Sequence, residues 1–301
     1  MIDYGKSFSF FTEDDHWLEK LGIGVGVYIG SLLAALLLVI VPSFLIYFIL
    51  PWPTAANVVT ALAYYLSIVL LVGYGLRLLR NVRDGAGQPL PEWNDWGNDL
   101  VRGFKLIVVA LIWTLPLLVL AIPTGIGTML TNRHDDTTSF FGTVLISCGG
   151  CLSFLYWLFV AIMRPGYTIA FLRDEQIKSG LRFDLIFNWT RAHIGSVITV
   201  ALVSVVAAVV LLFLGVILGP ILLCVGWIIT LPLAIFLPML IQSHLYGQLA
   251  REFPMEESGS AIQVYTPGVE PTPPTVVEPT TTAVEPTTPT ETDVNPPAPP
   301  A

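Results

Sequence analysis

The longest stretch without a charged residue limits the architecture of this chain more than any other feature. Residues 192–250 contain no Asp, Glu, Lys or Arg over 59 positions. A helix rises about 1.5 Å per residue, so about 20 residues cross a hydrocarbon layer of about 30 Å. One crossing would leave much of this stretch unused, and two spans are predicted, with a turn near Gly219-Pro220. Only 12% of the chain is charged, which is typical of an integral membrane protein.

Other apolar runs alternate with polar segments along the first two thirds of the chain. The first, Leu21 to Leu50, has no charged residue, and Arg164-Pro165 is expected to end or kink the fourth run. The pattern predicts an all-α integral membrane protein, a bundle of about six transmembrane helices. The spans are roughly 21–50, 57–79, 104–126, 140–164, 194–217 and 220–246, within a transmembrane domain of residues 21–250.

Lys and Arg are distributed unequally between the two faces of this six-helix arrangement. Thirteen fall in the N-terminal segment, in the two charged connectors or at Arg251, and only Arg133 falls opposite them. Segments rich in Lys and Arg face the cytoplasm in membrane proteins. Both termini and both connectors are therefore predicted to be cytoplasmic, in a protein of the cell membrane.

The connectors and residues 1–20 are predicted to place amphipathic helices at the cytoplasmic interface. In the first connector, Pro91 fits the first position of a short helix. Asp95 and Asp99 are interpreted as a solvated face paired with nearby arginines rather than as a binding site. A second connector, 171–193, repeats this pattern. Four tryptophans are predicted to be interface anchors: Trp17, Trp93, Trp96 and Trp189.

Three glycines form a stripe along the first span. Gly22, Gly26 and Gly30 recur at every fourth position and so lie on one helix face. Small residues at this spacing let two membrane helices approach closely. The stripe is predicted to be a helix-packing surface, although glycine is also frequent in membrane helices in general.

The C-terminal segment, 256–301, differs in composition from the rest of the chain. It contains 11 prolines, 10 threonines and seven acidic residues but no Lys or Arg. Such a segment cannot bury enough apolar area to offset the entropy of ordering it. A disordered acidic tail on the cytoplasmic side is predicted, and an extracellular Pro/Thr-rich stalk is the alternative.

Motifs for chemistry are sparse. Cys148 and Cys151 have C-x-x-C spacing but lie in an apolar run, and the four histidines are dispersed. No P-loop, nucleophile elbow, H-E-x-x-H or G-x-G-x-x-G motif occurs. No catalytic, cofactor or metal site is predicted, and no nucleic-acid partner is expected.

Three segments resemble a known family. They are SFSFFTEDDHWLEKLGIG near the N-terminus, GYGLRLLRNVRDGAGQPLPEWNDWGNDLVRGFKLIVVALIW across the first connector, and FLRDEQIKSGLRFDLIFNW in the second. They are similar to the prokaryotic multi-pass membrane proteins grouped as domain of unknown function 4013, over roughly residues 5–250. The resemblance implies no activity, substrate or catalytic residue.

Two function classes follow from these observations. The first is a non-enzymatic membrane protein, a scaffold or regulatory partner whose cytoplasmic connectors and tail bind other proteins. The alternative is a permease or channel component for a neutral or lipid-like solute, because prolines interrupt several spans. The lipid bilayer is an expected partner, and a homo-oligomer is compatible with either class.

Overall fold

The computed structural model describes residues 2–46, 52–132, 135–221 and 226–255, without the side chains of 32, 34–46 and 52–64. These residues form helices and no strand. The chain starts with α1 (Lys6–Ser9) and a 3-10 turn (Phe10–Glu13). The other helices are α2 (Trp17–Ile46), α3 (Trp52–Asp84), α4 (Trp96–Thr131), α5 (Asp136–Leu172), α6 (Ile177–Gly180), α7 (Phe183–Ala192), α8 (Ile194–Ile221) and α9 (Gly226–Glu252).

Five segments among the described residues are long and apolar enough to cross a membrane. They are Tyr65–Asp84 of α3 and the helices α4, α5, α8 and α9. The prediction of an all-α membrane bundle is therefore confirmed. The predicted first span, 21–50, corresponds to α2 up to Ile46, and its last residues lie outside the described part, so the total of six spans stays a prediction. The predicted tail, 256–301, also lies outside the described residues.

Helices α3 and α9 hold the bundle together. α3 contacts α2, α4 and α9, while α4 pairs with α5 and α8 pairs with α9. One apolar cluster surrounds Tyr74 and Phe236, and a larger one surrounds Phe171, Ile186 and Leu245. Apart from Phe236, the buried helical residues of both clusters lie in the connector-side halves of their helices. The opposite halves of α4, α5 and α8 expose large apolar side chains, as a surface in contact with lipid requires.

The first connector differs from the prediction, because Pro91 does not begin a helix. Residues 86–95 are non-helical, and α4 starts at Trp96 and runs without interruption into the span. The Tyr74 hydroxyl donates to the Pro91 carbonyl over 2.9 Å, and Arg77 donates to the Glu92 carbonyl over 2.9 Å. These side chains of α3 satisfy backbone acceptors that a helix would otherwise satisfy. The amphipathic helix of this connector is thus the first part of α4 itself.

The fourth predicted span also ends later than expected. α5 continues through Pro165 to Leu172, and all residues from Pro165 to Leu172 are buried. A Cβ built at Gly166 would meet Ile186 and Thr190 of α7. The last turns of α5 are therefore held by contact with α7, which outweighs the local cost of proline. Arg164 consequently lies within a long helix rather than at its end.

The packing surface of α2 is not the predicted stripe. Gly22, Gly26 and Gly30 are exposed, and a Cβ built at each would meet no described atom within 4 Å. Gly24 is buried, and a Cβ there would clash with the ring of Phe236 on α9. The helix therefore uses the face that carries Gly24, and residue spacing alone selected the wrong glycines.

Candidate functional site at the connector end

The N-terminal segment is docked onto the end of α9. The backbone N–H of Asp3 donates to Gln248 over 2.6 Å, and the Gln248 amide donates to the Asp3 carbonyl over 2.9 Å. Ser7 lies 2.9 Å from Nδ1 of His244, and the ring of Phe10 stacks on His244 with centroids 4.3 Å apart. Ser7 and Phe10 are fully buried. Contacts more than 230 residues apart in sequence thus give this segment a defined position.

A buried lysine joins the N-terminal segment to the first connector. Lys20 lies 2.8 Å from Asp14 and 2.6 Å from Glu92, and it donates to the Leu90 carbonyl over 3.2 Å. The side chains of Lys20 and Asp14 are 5% and 1% exposed, so neither charge would be tolerated alone. Burial raises the pKa of the Asp14 carboxyl, but hydrogen bonds from Lys20 and the His16 backbone outweigh burial and hold that pKa below its ordinary value.

The substitution Asp14→Asn tests this pair through its pH dependence. A lowered pKa in the folded state means that the carboxylate stabilises the fold above the unfolded-state pKa, about 4, and that this stabilisation is lost as the pH falls through the folded-state pKa. Near pH 7 the free energy of unfolding of the variant should be about 1.5 to 3 kcal/mol lower than that of the wild type. Denaturant titrations in detergent should show this difference shrinking toward pH 3, whereas Asp15→Asn, an exposed neighbour, should be nearly silent. A difference that is constant with pH would contradict the assignment.

Aromatic side chains pack against the first connector and hold it to α3 and α2. Trp93 stacks on Tyr74 with centroids 4.0 Å apart and donates to the Lys20 carbonyl over 2.9 Å. Trp96, 43% exposed, donates to the Trp93 carbonyl. Trp17 is half-buried beside Phe11.

The second connector is attached to the same end through contacts with α4 and with the residue after α9. Trp189 of α7 is buried and donates to the Phe253 carbonyl over 3.1 Å, just after α9. Trp113 of α4 donates to the Gly180 carbonyl over 2.9 Å. Ile186, also of α7, is fully buried. Of the four predicted anchors, Trp96 is the most exposed, while the interior position of Trp189 differs from that expected of an interface anchor.

An arginine and carboxylate network links α3, α4 and the second connector at this end. Asp99 of α4 lies 2.6 Å from Arg77 of α3 and 3.3 Å from Arg102. Arg102 also lies 2.9 Å from Asp95 and 3.1 Å from Glu175, and Glu175 pairs with Arg80. The expected pairing with arginines is present, but the Asp99 side chain is completely buried rather than solvated.

A polar cleft opens between the docked N-terminal segment, the first connector and the end of α9. Its volume is about 580 Å³. Gly85, with φ +78°, lies in the left-handed region that favours glycine and turns the chain away from α3 beside Arg251. The cleft carries charges of both signs. Its lining residues include Asp3, Lys6, Gly87, Pro89, His244, Gln248, Arg251 and Glu252.

Several residues of this end were not singled out by the sequence. Asp14, Lys20, His244 and Gln248 acquire their roles from partners that are distant in the chain. One local signal existed, since His244 and Gln248 lie four positions apart on one face of a helix. Cys148 and Cys151, which lie in an apolar run, are both exposed on α5.

Comparison with known families identifies the group to which the chain is similar. The model of the family described as Protein of unknown function (DUF4013) matches residues 57–220. The match includes most of α3, both connectors and nearly all of α8, but not the N-terminal motif that also resembles the family. Comparison with curated proteins and with solved structures found no match. Because the family model covers more than half of the chain and the expected all-α membrane fold is present, the chain belongs to the DUF4013 family.

Proposed function

We propose that this protein is a non-enzymatic scaffold or regulatory partner in the cell membrane, and that it binds another protein at its connector end. The observation that supports this proposal is the folded polar surface at that end. The N-terminal segment, two connectors and the end of α9 are joined there by buried ion pairs and side-chain hydrogen bonds. Simple loops between membrane helices would not need such a structure.

The cleft is the proposed site of partner binding. Lys6 and Arg251 lie on its walls together with Asp3 and Glu252, so it offers both signs of charge over a short distance. Such a surface fits a polar segment of a protein, because paired charges give specificity and register to an interface. The acidic tail, 256–301, follows α9 in the sequence and is a second proposed contact.

Site-specific crosslinking tests the cleft directly. A photoreactive amino acid at Gly87 replaces a residue with open space around it, so the fold should be retained. In native membranes it should capture one protein reproducibly, and the double charge reversal Lys6→Glu with Arg251→Glu should abolish the product. Arg191→Glu, at an exposed cation outside the cleft, is the matched control. Equal crosslinking in both variants would contradict the proposal, and a chain ending at residue 255 would show whether the tail contributes.

Orientation is tested by cysteine labelling. We expect the connector end to be cytoplasmic because thirteen of fourteen Lys and Arg residues belong to it. Single cysteines at Asn132 and Gly87, both exposed, are placed in a chain whose Cys148, Cys151 and Cys224 are replaced by serine. In intact cells an impermeant maleimide should label only the cysteine at Asn132. Labelling of the cysteine at position 87 would show that the connector end faces the outside of the cell.

A permease or channel component is the second candidate function. The observation that favours it is a cavity of about 100 Å³ among α3, α4, α5 and α9, whose walls include Thr168, Gln242, Ser243 and Tyr246. These polar groups line space inside the bundle. Solute flux in liposomes containing only this protein would favour this candidate over the scaffold if it is lost in Gln242→Leu and retained in the control Ser153→Ala, which lies outside the cavity.

A further inference from the structure

Arg164, which is exposed on the side of α5, differs from the arginines of the connector-end network. Arg77, Arg80 and Arg102 each pair with a carboxylate at the connector end. Arg164 has no ion pair within the described residues, although it lies inside α5, eight residues before the helix ends. A guanidinium stays charged in proteins, and a lone charge in a membrane segment needs either water or an anion.

The side chain borders a crevice in the side of the bundle. The crevice has a volume of about 310 Å³ and lies among α3, α5, α8 and α9. Arg164 and Gln242 supply its polar groups, and Ile68, Val205 and Ile235 supply apolar walls. Val205 is 54% exposed, so the crevice faces the surroundings of the protein.

The position of Arg164 along α5 matches the depth of lipid phosphates. The midpoint of α5 is residue 154, so Arg164 lies ten residues toward the connector end. This corresponds to about 15 Å along the axis, at about 1.5 Å per residue. The hydrocarbon core extends about 15 Å from its midplane. A helix centred in the bilayer therefore places the guanidinium where the core meets the headgroups.

We propose that this crevice binds one anionic phospholipid from the connector-side leaflet. The lipid phosphate lies against the Arg164 guanidinium, whose planar donors suit phosphate oxygens, and Gln242 provides a further polar contact. One acyl chain lies along Val205 and Ile235 between α8 and α9. The charge complementarity of an unpaired cation above apolar walls specifies this occupant, since an apolar solute would leave the arginine without a partner.

Native mass spectrometry of the purified protein tests the proposal. The protein is titrated in detergent with phosphatidylglycerol and, separately, with phosphatidylcholine of the same acyl chains. The wild type should bind phosphatidylglycerol about fivefold more tightly, the size expected for one cation near an anionic lipid. Arg164→Gln should lose this preference, and Arg164→Lys should keep part of it. Arg191→Gln, which removes an exposed cation of α7, should behave as the wild type.

A second variant separates the crevice from general surface charge. Ala208→Trp fills the crevice and leaves Arg164 in place, so it should also weaken phosphatidylglycerol binding. An unchanged lipid preference in Arg164→Gln, or an unchanged affinity for phosphatidylglycerol in Ala208→Trp, would overturn the proposal. Binding of oleate at this site without binding of phosphatidylglycerol would also overturn it, because the occupant would then be a free fatty acid.

Discussion

The substitution Asp99→Ala should lower the free energy of unfolding by about 3 kcal/mol. Asp99 is completely buried and, among the described residues, is the only carboxylate that pairs with Arg77, whose side chain is 15% exposed. Removing one partner of a buried ion pair costs about 3 to 5 kcal/mol, because an uncompensated charge remains. The lower end of this range applies, since Arg102 retains Asp95 and Glu175.

Denaturant unfolding in detergent, followed by circular dichroism, measures this effect. The matched control is Asp84→Ala, which removes an exposed carboxylate that pairs with Arg83 at the end of α3. A surface pair of this kind contributes about 0 to 1 kcal/mol, so the control should be close to the wild type. Equal destabilisation by the two variants would mean that Asp99 does not hold α3 and α4 together.

The second large effect is expected at Gly103, where α3 and α4 touch through their backbones. A Cβ built at Gly103 would clash with the Val69 carbonyl on α3, and one at Gly73 would clash with the Asp99 carbonyl on α4. Backbone atoms cannot move aside as side chains do. Gly103→Ile should therefore destabilise the protein by roughly 3 kcal/mol, at the upper end of the range for overpacking. It should also move Arg102 away from its partners.

Gly26→Ile is the matched control for this experiment. The residue lies in a predicted span, it is exposed, and no described atom lies within 4 Å of a Cβ built there. Surface substitutions of this kind usually change stability by no more than about 0.5 kcal/mol. Thermal or denaturant unfolding of both variants under the same conditions compares the two faces. If Gly26→Ile destabilised as much as Gly103→Ile, the assignment of the packing face on α2 would be wrong.

The spacing of residues in the sequence did not reveal the roles of the residues in these two experiments. The stripe of Gly22, Gly26 and Gly30 satisfied the spacing for close helix packing, yet Gly24 is the residue that meets α9. Spacing defines a face of a helix, but it does not say where the neighbouring helix lies. Gly73 and Gly103 carry no periodic pattern, so only their positions on adjacent helices identify them.

The candidate site was predictable only in outline. The concentration of Lys and Arg marked the connectors as polar segments of one surface, and the structure brings both connectors to one end of the bundle. The burial of Asp99 and the docking of residues 3–10 on α9 could not be read from the sequence. Each depends on partners elsewhere in the chain, for which local composition carries no signal.

The sequence by itself determined that this chain is a helical membrane protein with charged connectors. Apolar length and charge are local properties, and a bilayer leaves a backbone few choices other than a helix. The tertiary structure alone decided which helix faces meet, which charges are buried and where cavities remain. Those outcomes depend on how helices with similar apolar surfaces fit together, and close backbone contact and hydrogen bonding determine that fit, because hydrophobicity distinguishes poorly between lipid and a neighbouring helix.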